Sequence, residues 1–153
     1  MLTEHLTEQN KIRVIYAEDF DNHPEQQDII NRIFEIHKEY HNLWVFCDGS
    51  NRGAMTSLKI AFGEDPHYDK VEDVSPSSNK LLPVAFNRDH KQMISHLVSL
   101  FEDDYIGIAE KYDKLIISLK TAYVNEYALD KEATSYSDSF DALRLSLKCF
   151  NVN

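Results

Sequence analysis

Three aspartates of this chain have the residue type and placement expected of metal ligands: Asp48, Asp138 and Asp141. Asp48 directly follows the apolar run Leu43–Cys47, at the rim of a predicted core, where a cation or hydrogen-bond donors must compensate partial burial. Asp138 and Asp141 lie three residues apart at the start of a predicted helix and therefore share a face. Carboxylate oxygens suit Mg²⁺ and Mn²⁺, and two such ions about 4 Å apart can hydrolyse a phosphodiester bond. The three aspartates are therefore predicted metal ligands and catalytic residues.

Each of these acids also has a purely structural interpretation. Asp48 and Gly49 together are a common start for a turn after a strand. Asp138 would lie in the first turn of a helix capped by Ser137, where the helix dipole favours an acid. The choice of metal ligand between Asp138 and Asp141 stays open, with Asp138 favoured by its place in the first turn. Glu18 or Asp19, at the end of the first predicted strand, is a candidate to complete this acid set, although a role in the following turn is favoured.

The elements that must position these acids follow from the apolar pattern. Residues 1–10 are predicted to be frayed and 64–80 to form a loop. Strands alternate with helices, which indicates an α/β domain with helices packed against a sheet. Ligands bind such sheets at the carboxyl ends of strands, where Asp48 is expected. The predicted strands are 11–20, 43–47, 80–86 and 105–109, and the predicted helices are 24–40, 54–62, 89–103, 112–123 and 137–150.

Composition excludes several classes of protein. The chain has 153 residues, of which 42% are apolar, enough for one domain with a real core. Its longest uninterrupted apolar run is too short to cross a membrane, and its start lacks the features of a signal peptide. Two widely separated cysteines predict a reduced, cytoplasmic protein without a disulfide framework. The net charge of −10 argues against a general nucleic-acid coat.

Other reactive side chains carry weaker signals. Cys47 and Trp44 lie within an apolar strand and are predicted to be core residues. His37 and His41 are four apart, but the residue after the first is not the glutamate of a metalloprotease. Basic side chains are sparse, and some are candidates for phosphate contacts, with ordinary surface charge as the alternative. Those candidates are Arg52, Arg88, Lys91, Lys114, Lys120, Arg144 and Lys148.

Two of these segments resemble motifs of a known family. Asp48–Gly53 (DGSNRG) is similar to the second acidic motif of the nuclease domain in viral and phage terminase large subunits. Asp138–Leu145 (DSFDALRL) resembles that family's last motif, an acid pair three apart running into Asp-Ala-Leu. The stretches around Leu82–Val84 and Asp113–Ile116 are similar in order and spacing. The resemblance covers residues 11–150.

The resemblance implies an RNase-H-like fold, a mixed central sheet flanked by helices, as a single domain over residues 11–150. Relative to the family, the chain is expected to be shortened at its N-terminus, without the first catalytic Asp and without the ATPase domain. Mg²⁺ or Mn²⁺ would be the cofactor of a DNA endonuclease that cuts concatemeric DNA during genome packaging. The expected partners are DNA, bound weakly by this chain alone, and a terminase ATPase domain or other packaging proteins, in the host cytoplasm if the source is viral.

Two alternatives accompany this interpretation. The chain could be a non-catalytic RNase-H-like docking module with a degenerate metal site, because the acid set lacks the family's first Asp. It could also be an acidic interaction domain without any metal site, which would require Asp48 and Asp138 to lie far apart.

Overall fold

The computed structural model describes residues 1–6, 9, 11–20, 24–40, 43–61, 80–125 and 128–150, and these form a mixed α/β structure. The α/β class predicted from the sequence is confirmed, while most of the predicted loop at 64–80 lies outside the described residues. The strands are β1 (Leu2–Leu6), β2 (Lys11–Tyr16), β3 (Trp44–Asp48), β4 (Lys80–Val84), β5 (Ile106–Ile108), β6 (Val124–Asn125) and β7 (Ala128–Leu129). The helices are α1 (Gln26–Glu39), α2 (Arg52–Ala61), α3 (Phe86–Glu102), α4 (Asp113–Thr121) and α5 (Ser137–Ser146).

The chain divides into two compact units, each with its own apolar core. The first unit combines Met1–Asp19 with Asn87–Asn153, and the second is the intervening segment Phe20–Phe86. The acid pair at the start of α5 therefore belongs to the first unit, and Asp48 belongs to the second.

The sheet of the first unit has the order β1-β2-β5, with β1 antiparallel and β5 parallel to β2. Ile12 and Val14 are buried, and they alternate along β2 with the exposed Lys11 and Arg13. Because side chains alternate between the faces of a strand, one face of β2 packs on the core and the other meets solvent. Helices α3, α4 and α5, with Leu147 directly after α5, complete this core; the helical members are Ile94, Leu97, Leu100, Leu115, Phe140 and Leu143.

Strand β1 lies in the segment that the sequence predicts to be frayed. Its five residues pair with β2 from Leu2 opposite Tyr16 to Leu6 opposite Lys11. The Arg13 guanidinium donates from Nε to the Glu4 carboxylate at 2.7 Å across this ladder. Thr3 Oγ1 also donates to the carbonyl of Ser146 at 3.1 Å, which ties the strand to the end of α5. The polar composition of the segment gave no indication of the strand, because its backbone is paired by β2 and Thr3 is held by Ser146, 143 residues away in sequence.

Helix α5 has the predicted apolar stripe, since Phe140, Leu143 and Leu147 are all buried in the core. The helix ends at Ser146 rather than near Phe150, and its N-terminus differs from the prediction. Ser137 is the first helical residue, and the capping position is held by Tyr136 in the left-handed conformation (φ 50°) without a side-chain cap. The predicted cap at Ser137 is therefore wrong.

In the second unit, β3 runs parallel to β4, with Phe46 opposite Leu82. Val45 and Cys47 pack against the core formed by α1, α2 and β4, whose buried members are Ile30, Met55, Leu58 and Leu81. Trp44 points to the other face, where it is 48% exposed and stacks on Phe46 with ring centroids 6.5 Å apart. The predictions of a strand covered on both faces and of Trp44 as a core residue are therefore wrong, because alternate side chains of β3 face opposite ways.

We expect Leu143→Ala to lower the free energy of unfolding by about 3 kcal/mol, because the side chain is 0% exposed and its removal leaves a cavity. Urea denaturation followed by circular dichroism measures the loss. Ile117→Ala on α4 is the matched control, since Ile117 is 40% exposed and its removal should cost under about 1 kcal/mol. Similar losses in both variants would contradict the assigned core.

Candidate functional site

Asp48 is the last residue of β3, and its side chain stabilises the turn that follows. Its Oδ1 accepts a hydrogen bond from the backbone N–H of Ser50 at 2.9 Å. The N–H of Gly49 donates to the carbonyl of Val84 at 2.9 Å, and a Cβ at Gly49 would lie 3.1 Å from that oxygen. A side chain at position 49 would thus crowd the backbone of β4. The structure gives Asp48 the turn-forming role that the sequence offered as its structural alternative, with its side chain exposed to solvent.

The same loop starts helix α2. Asn51 Oδ1 accepts a hydrogen bond from the N–H of Ala54 at 3.1 Å, and the Asn51 carbonyl accepts from the N–H of Met55 at 3.0 Å. The Asn51 side chain thus satisfies one of the amides that a helix N-terminus leaves without partners, and its carbonyl accepts the first hydrogen bond of the helix. The loop geometry is explained by these local hydrogen bonds, and Arg52 is exposed beside them.

Asp138 and Asp141 meet at one basic side chain, as their spacing on α5 allows. The Lys131 ammonium lies 3.1 Å from Asp141 Oδ2 and 3.7 Å from Asp138 Oδ1. The Asp138 side chain is 94% exposed, whereas Asp141 is buried. The hydrogen bond to Asp141 raises the pKa of the Lys131 ammonium, so the lysine is charged at neutral pH. Two carboxylates of α5 are therefore arranged around a single cation.

Asp141 also forms an ion pair with Arg144, three residues further along α5. The Arg144 side chain is 0% exposed, and its guanidinium lies 5.3 Å from the centre of the Phe140 ring. Arg144 Nη1 is 2.9 Å from His90 Nδ1 on α3, and because arginine only donates, this histidine nitrogen is the acceptor. Arg144 is thus enclosed, and its prediction as a phosphate-contacting residue is wrong.

A second group of charged side chains links the start of α3 to Lys148, which lies two residues after the end of α5. Lys148 Nζ lies 2.7 Å from Asp89 Oδ2, and Arg88 Nε lies 3.0 Å from Asp89 Oδ1. The hydrogen bond from Lys148, followed by that from Arg88, holds the pKa of Asp89 below its usual value. Lys148 and Arg88, two more candidates for phosphate contacts, therefore already pair with a carboxylate.

Asp19 is joined to the first turn of α5. Ser139 Oγ, which is buried, donates to Asp19 Oδ1 at 2.7 Å. The contact spans 120 residues of sequence and places an acid from beyond the end of β2 next to the turn that carries Asp138. Glu18, the other predicted substitute, accepts a hydrogen bond from the Tyr16 hydroxyl instead. The sequence raised Asp19 only by its position after a strand, and no local pattern indicated its partner.

The two cysteines are free, and their surroundings differ. Burial, with a smaller contribution from the neighbouring Asp48, raises the pKa of the Cys47 thiol to about 11. Since the thiolate is the nucleophile, this raised pKa leaves little reactive Cys47 thiolate at neutral pH. Cys47 packs against the core of the second unit but is partly buried, rather than the buried cysteine that the sequence predicts. Cys149 is exposed. Of the predicted histidine pair, His37 lies on α1 and His41 lies outside the described residues.

The structure thus brings Asp138 and Asp141 together in the first unit, while Asp48 belongs to the second, so a site combining all three stays a prediction. Within the described ranges, no group of three or more His, Cys, Asp or Glu side chains forms a set able to hold a metal ion. The donor chemistry of the acid pair nevertheless fits a hard divalent cation, because oxygens of two carboxylates already face one cationic group, the Lys131 ammonium.

Comparisons of the chain with protein-family models, with curated proteins and with solved structures find no match. Of the helices in the described part of the chain, none has the length and apolar character needed to cross a membrane.

We expect Asp141→Asn to lower the free energy of unfolding by about 3 kcal/mol, because it leaves the buried Arg144 guanidinium without its carboxylate. Asp138→Asn makes the same chemical change one helical turn earlier, at an exposed position, and should cost under about 0.5 kcal/mol. Urea denaturation at pH 7 measures both variants. Equal losses would show that the enclosed ion pair does not distinguish the two acids.

The raised pKa of Cys47 predicts slow alkylation of the folded protein. In a Cys149→Ser background at pH 8, iodoacetamide should modify Cys47 about 100-fold more slowly than in urea, because the folded thiol ionises near pH 11 rather than near 9. The same difference in pKa predicts that the free energy of unfolding falls as the pH rises from about 9 towards 11, because the Cys47 thiol loses its proton in the unfolded chain at a lower pH than in the folded protein. The Cys47→Ser protein, with Cys149 alone, is the control, and comparable folded and unfolded rates for Cys47 would contradict the assignment.

Proposed function

We propose that this chain carries a metal-dependent endodeoxyribonuclease centre of the terminase type on an RNase-H-like fold. The single observation that supports it most directly is that Asp138 and Asp141, near the start of α5, both face the Lys131 ammonium. An oxygen-rich pair of this kind is what a divalent metal needs. The motifs DGSNRG and DSFDALRL, which carry the terminase resemblance, contain Asp48 and this pair.

In this proposal Asp138 and Asp141 hold Mg²⁺ or Mn²⁺, and Asp48 is a further ligand only as the terminase resemblance implies. The bound metal would activate a water for attack on the phosphodiester and stabilise the leaving 3′ oxygen. Arg144 keeps the Asp141 carboxylate in place through its ion pair, and Ser139 fixes the first turn of α5 to Asp19. These contacts hold the ligands in position before substrate binds.

The proposed partners follow from the same family resemblance. DNA would be bound weakly by this chain alone, because the net charge is −10 and the basic side chains around α5 pair with acids. A terminase ATPase domain or other packaging proteins would supply the remaining contacts to DNA. The proposed location is the cytoplasm, that of the host if the source is viral.

A second function is favoured by one specific observation: both oxygens of Asp141 face basic side chains, Arg144 and Lys131. A carboxylate committed in this way suits a degenerate metal site in a non-catalytic RNase-H-like module that docks onto packaging proteins. The two functions differ in a direct measurement, because the docking module would show no saturable Mn²⁺ binding by calorimetry.

Nicking of supercoiled plasmid in the presence of Mn²⁺ tests the nuclease. We expect Asp138→Asn and Asp48→Asn each to reduce the rate by about 100-fold or more, because each removes a proposed metal ligand. Asp103→Asn, an exposed aspartate after α3, is the matched control and should keep the parent rate. Equal rates in the parent and all three variants would overturn the proposal.

A further inference from the structure

The backbone around Lys131 is held by hydrogen bonds, and its side chain is more than half exposed. It begins a turn in which Asp130 Oδ1 accepts hydrogen bonds from the N–H groups of Glu132 and Ala133, both at 3.0 Å. The N–H of Thr134 donates to the carbonyl of Asp130 at 3.0 Å, and the N–H of Asp130 donates to that of Tyr123 at 2.8 Å. The Lys131 side chain itself is 58% exposed. An anchored backbone with a half-exposed ammonium allows the charge to leave the acid pair for solvent.

The formal charges of the Lys131 ammonium and its charged neighbours sum to zero. Asp138 and Asp141 carry two negative charges, and Lys131 and Arg144 carry two positive ones, so the cluster is neutral. Arg144 is enclosed and cannot leave, whereas the Lys131 side chain is 58% exposed and its pair with the solvent-exposed Asp138 is weak, which leaves Asp141 as its main partner. A divalent cation in place of the ammonium would leave the cluster with one net positive charge, which favours the approach of a phosphate.

We propose that Lys131 is a resident counter-ion of the acid pair, which a divalent metal must displace and which thereby limits metal binding until the ammonium swings away. This inference rests on the proposed metal-dependent function. Lys131 is then a competitor of the metal rather than a ligand or a general base. After displacement its ammonium stays tethered beside the site, where it can contact a phosphate of the bound strand.

Binding of Mn²⁺ alone, followed by the loss of the free-ion electron paramagnetic resonance signal, tests this inference without any cleavage assay. We expect Lys131→Met to bind Mn²⁺ about tenfold more tightly than the parent, because the competing charge is gone. Lys131→Arg keeps the charge and should stay within about twofold of the parent. Lys11→Met is the matched control: Lys11 pairs with Asp104 at 2.8 Å, so the change also removes one lysine charge and releases one aspartate.

The outcomes separate this inference from the function on which it rests. Equal or weaker Mn²⁺ binding by Lys131→Met, with a parent that binds, would overturn the counter-ion role and leave the metal site in place. Equal tightening in Lys131→Met and Lys11→Met would also overturn it, as a general charge effect. No saturable binding by either the parent or Lys131→Met would overturn the proposed function and this inference together. Urea denaturation of each variant confirms that the protein compared is folded.

Discussion

The guanidinium of Arg144 is enclosed in the first unit, and the candidate site depends on how its charge is compensated. Removing an ion from water costs several kcal/mol unless a partner of opposite charge and further hydrogen bonds replace the solvent. Asp141 supplies the charge, and His90 on α3 accepts a hydrogen bond from the same group. Asp141 is therefore required by the fold before any chemistry is considered. The same contacts join the first turns of α5 to the start of α3.

This requirement separates the roles of the two acids. A carboxylate has about four lone-pair positions on two oxygens, so pairing with Arg144 does not exhaust Asp141. Its Oδ1 faces Arg144, while its Oδ2 faces Lys131 on the side of Asp138. A cation shared by both acids would therefore take the place of the Lys131 ammonium and leave the Arg144 pair intact. The choice between Asp138 and Asp141 as ligand then need not be exclusive.

The elements of the fold were predictable where burial is periodic along the chain. The β-branched and aromatic residues after Lys11 predict β2, where Ile12 and Val14 are buried, and the spacing of Phe140, Leu143 and Leu147 predicts α5. Strand β1 was not predictable, because its polar residues are held by β2 and by Ser146, which is distant in sequence. The prediction of Trp44 as a core residue fails for a related reason. An apolar run does not show which of its alternating side chains the core covers, and Trp44 lies on the exposed side. Local pattern thus gives the elements, while long-range pairing decides which of their faces is buried.

The candidate site was predictable to the same extent. Three-residue spacing brings Asp138 and Asp141 to one face of α5. The position of Asp48 directly after an apolar strand predicts the turn-forming role that the structure gives it. The contacts of Lys131, His90 and Asp19 with α5 required the fold, since each residue lies on another segment.

The distribution of charge around α5 bears on how DNA could be bound at all. A basic residue contributes to a phosphate contact only when its charge is available, and counting lysines and arginines in the sequence overlooks this. Lys131, Lys148 and Arg144 each face a carboxylate of the first unit, so little of their charge is offered outwards. In a chain of net charge −10, a change in this balance is one source of affinity for a polyanion, beside partner proteins and basic residues away from α5. In the proposed function, binding of a divalent cation at the acid pair would be such a change, because it would add positive charge and release the Lys131 ammonium together. Metal and DNA would therefore bind with positive coupling, each strengthening the affinity for the other.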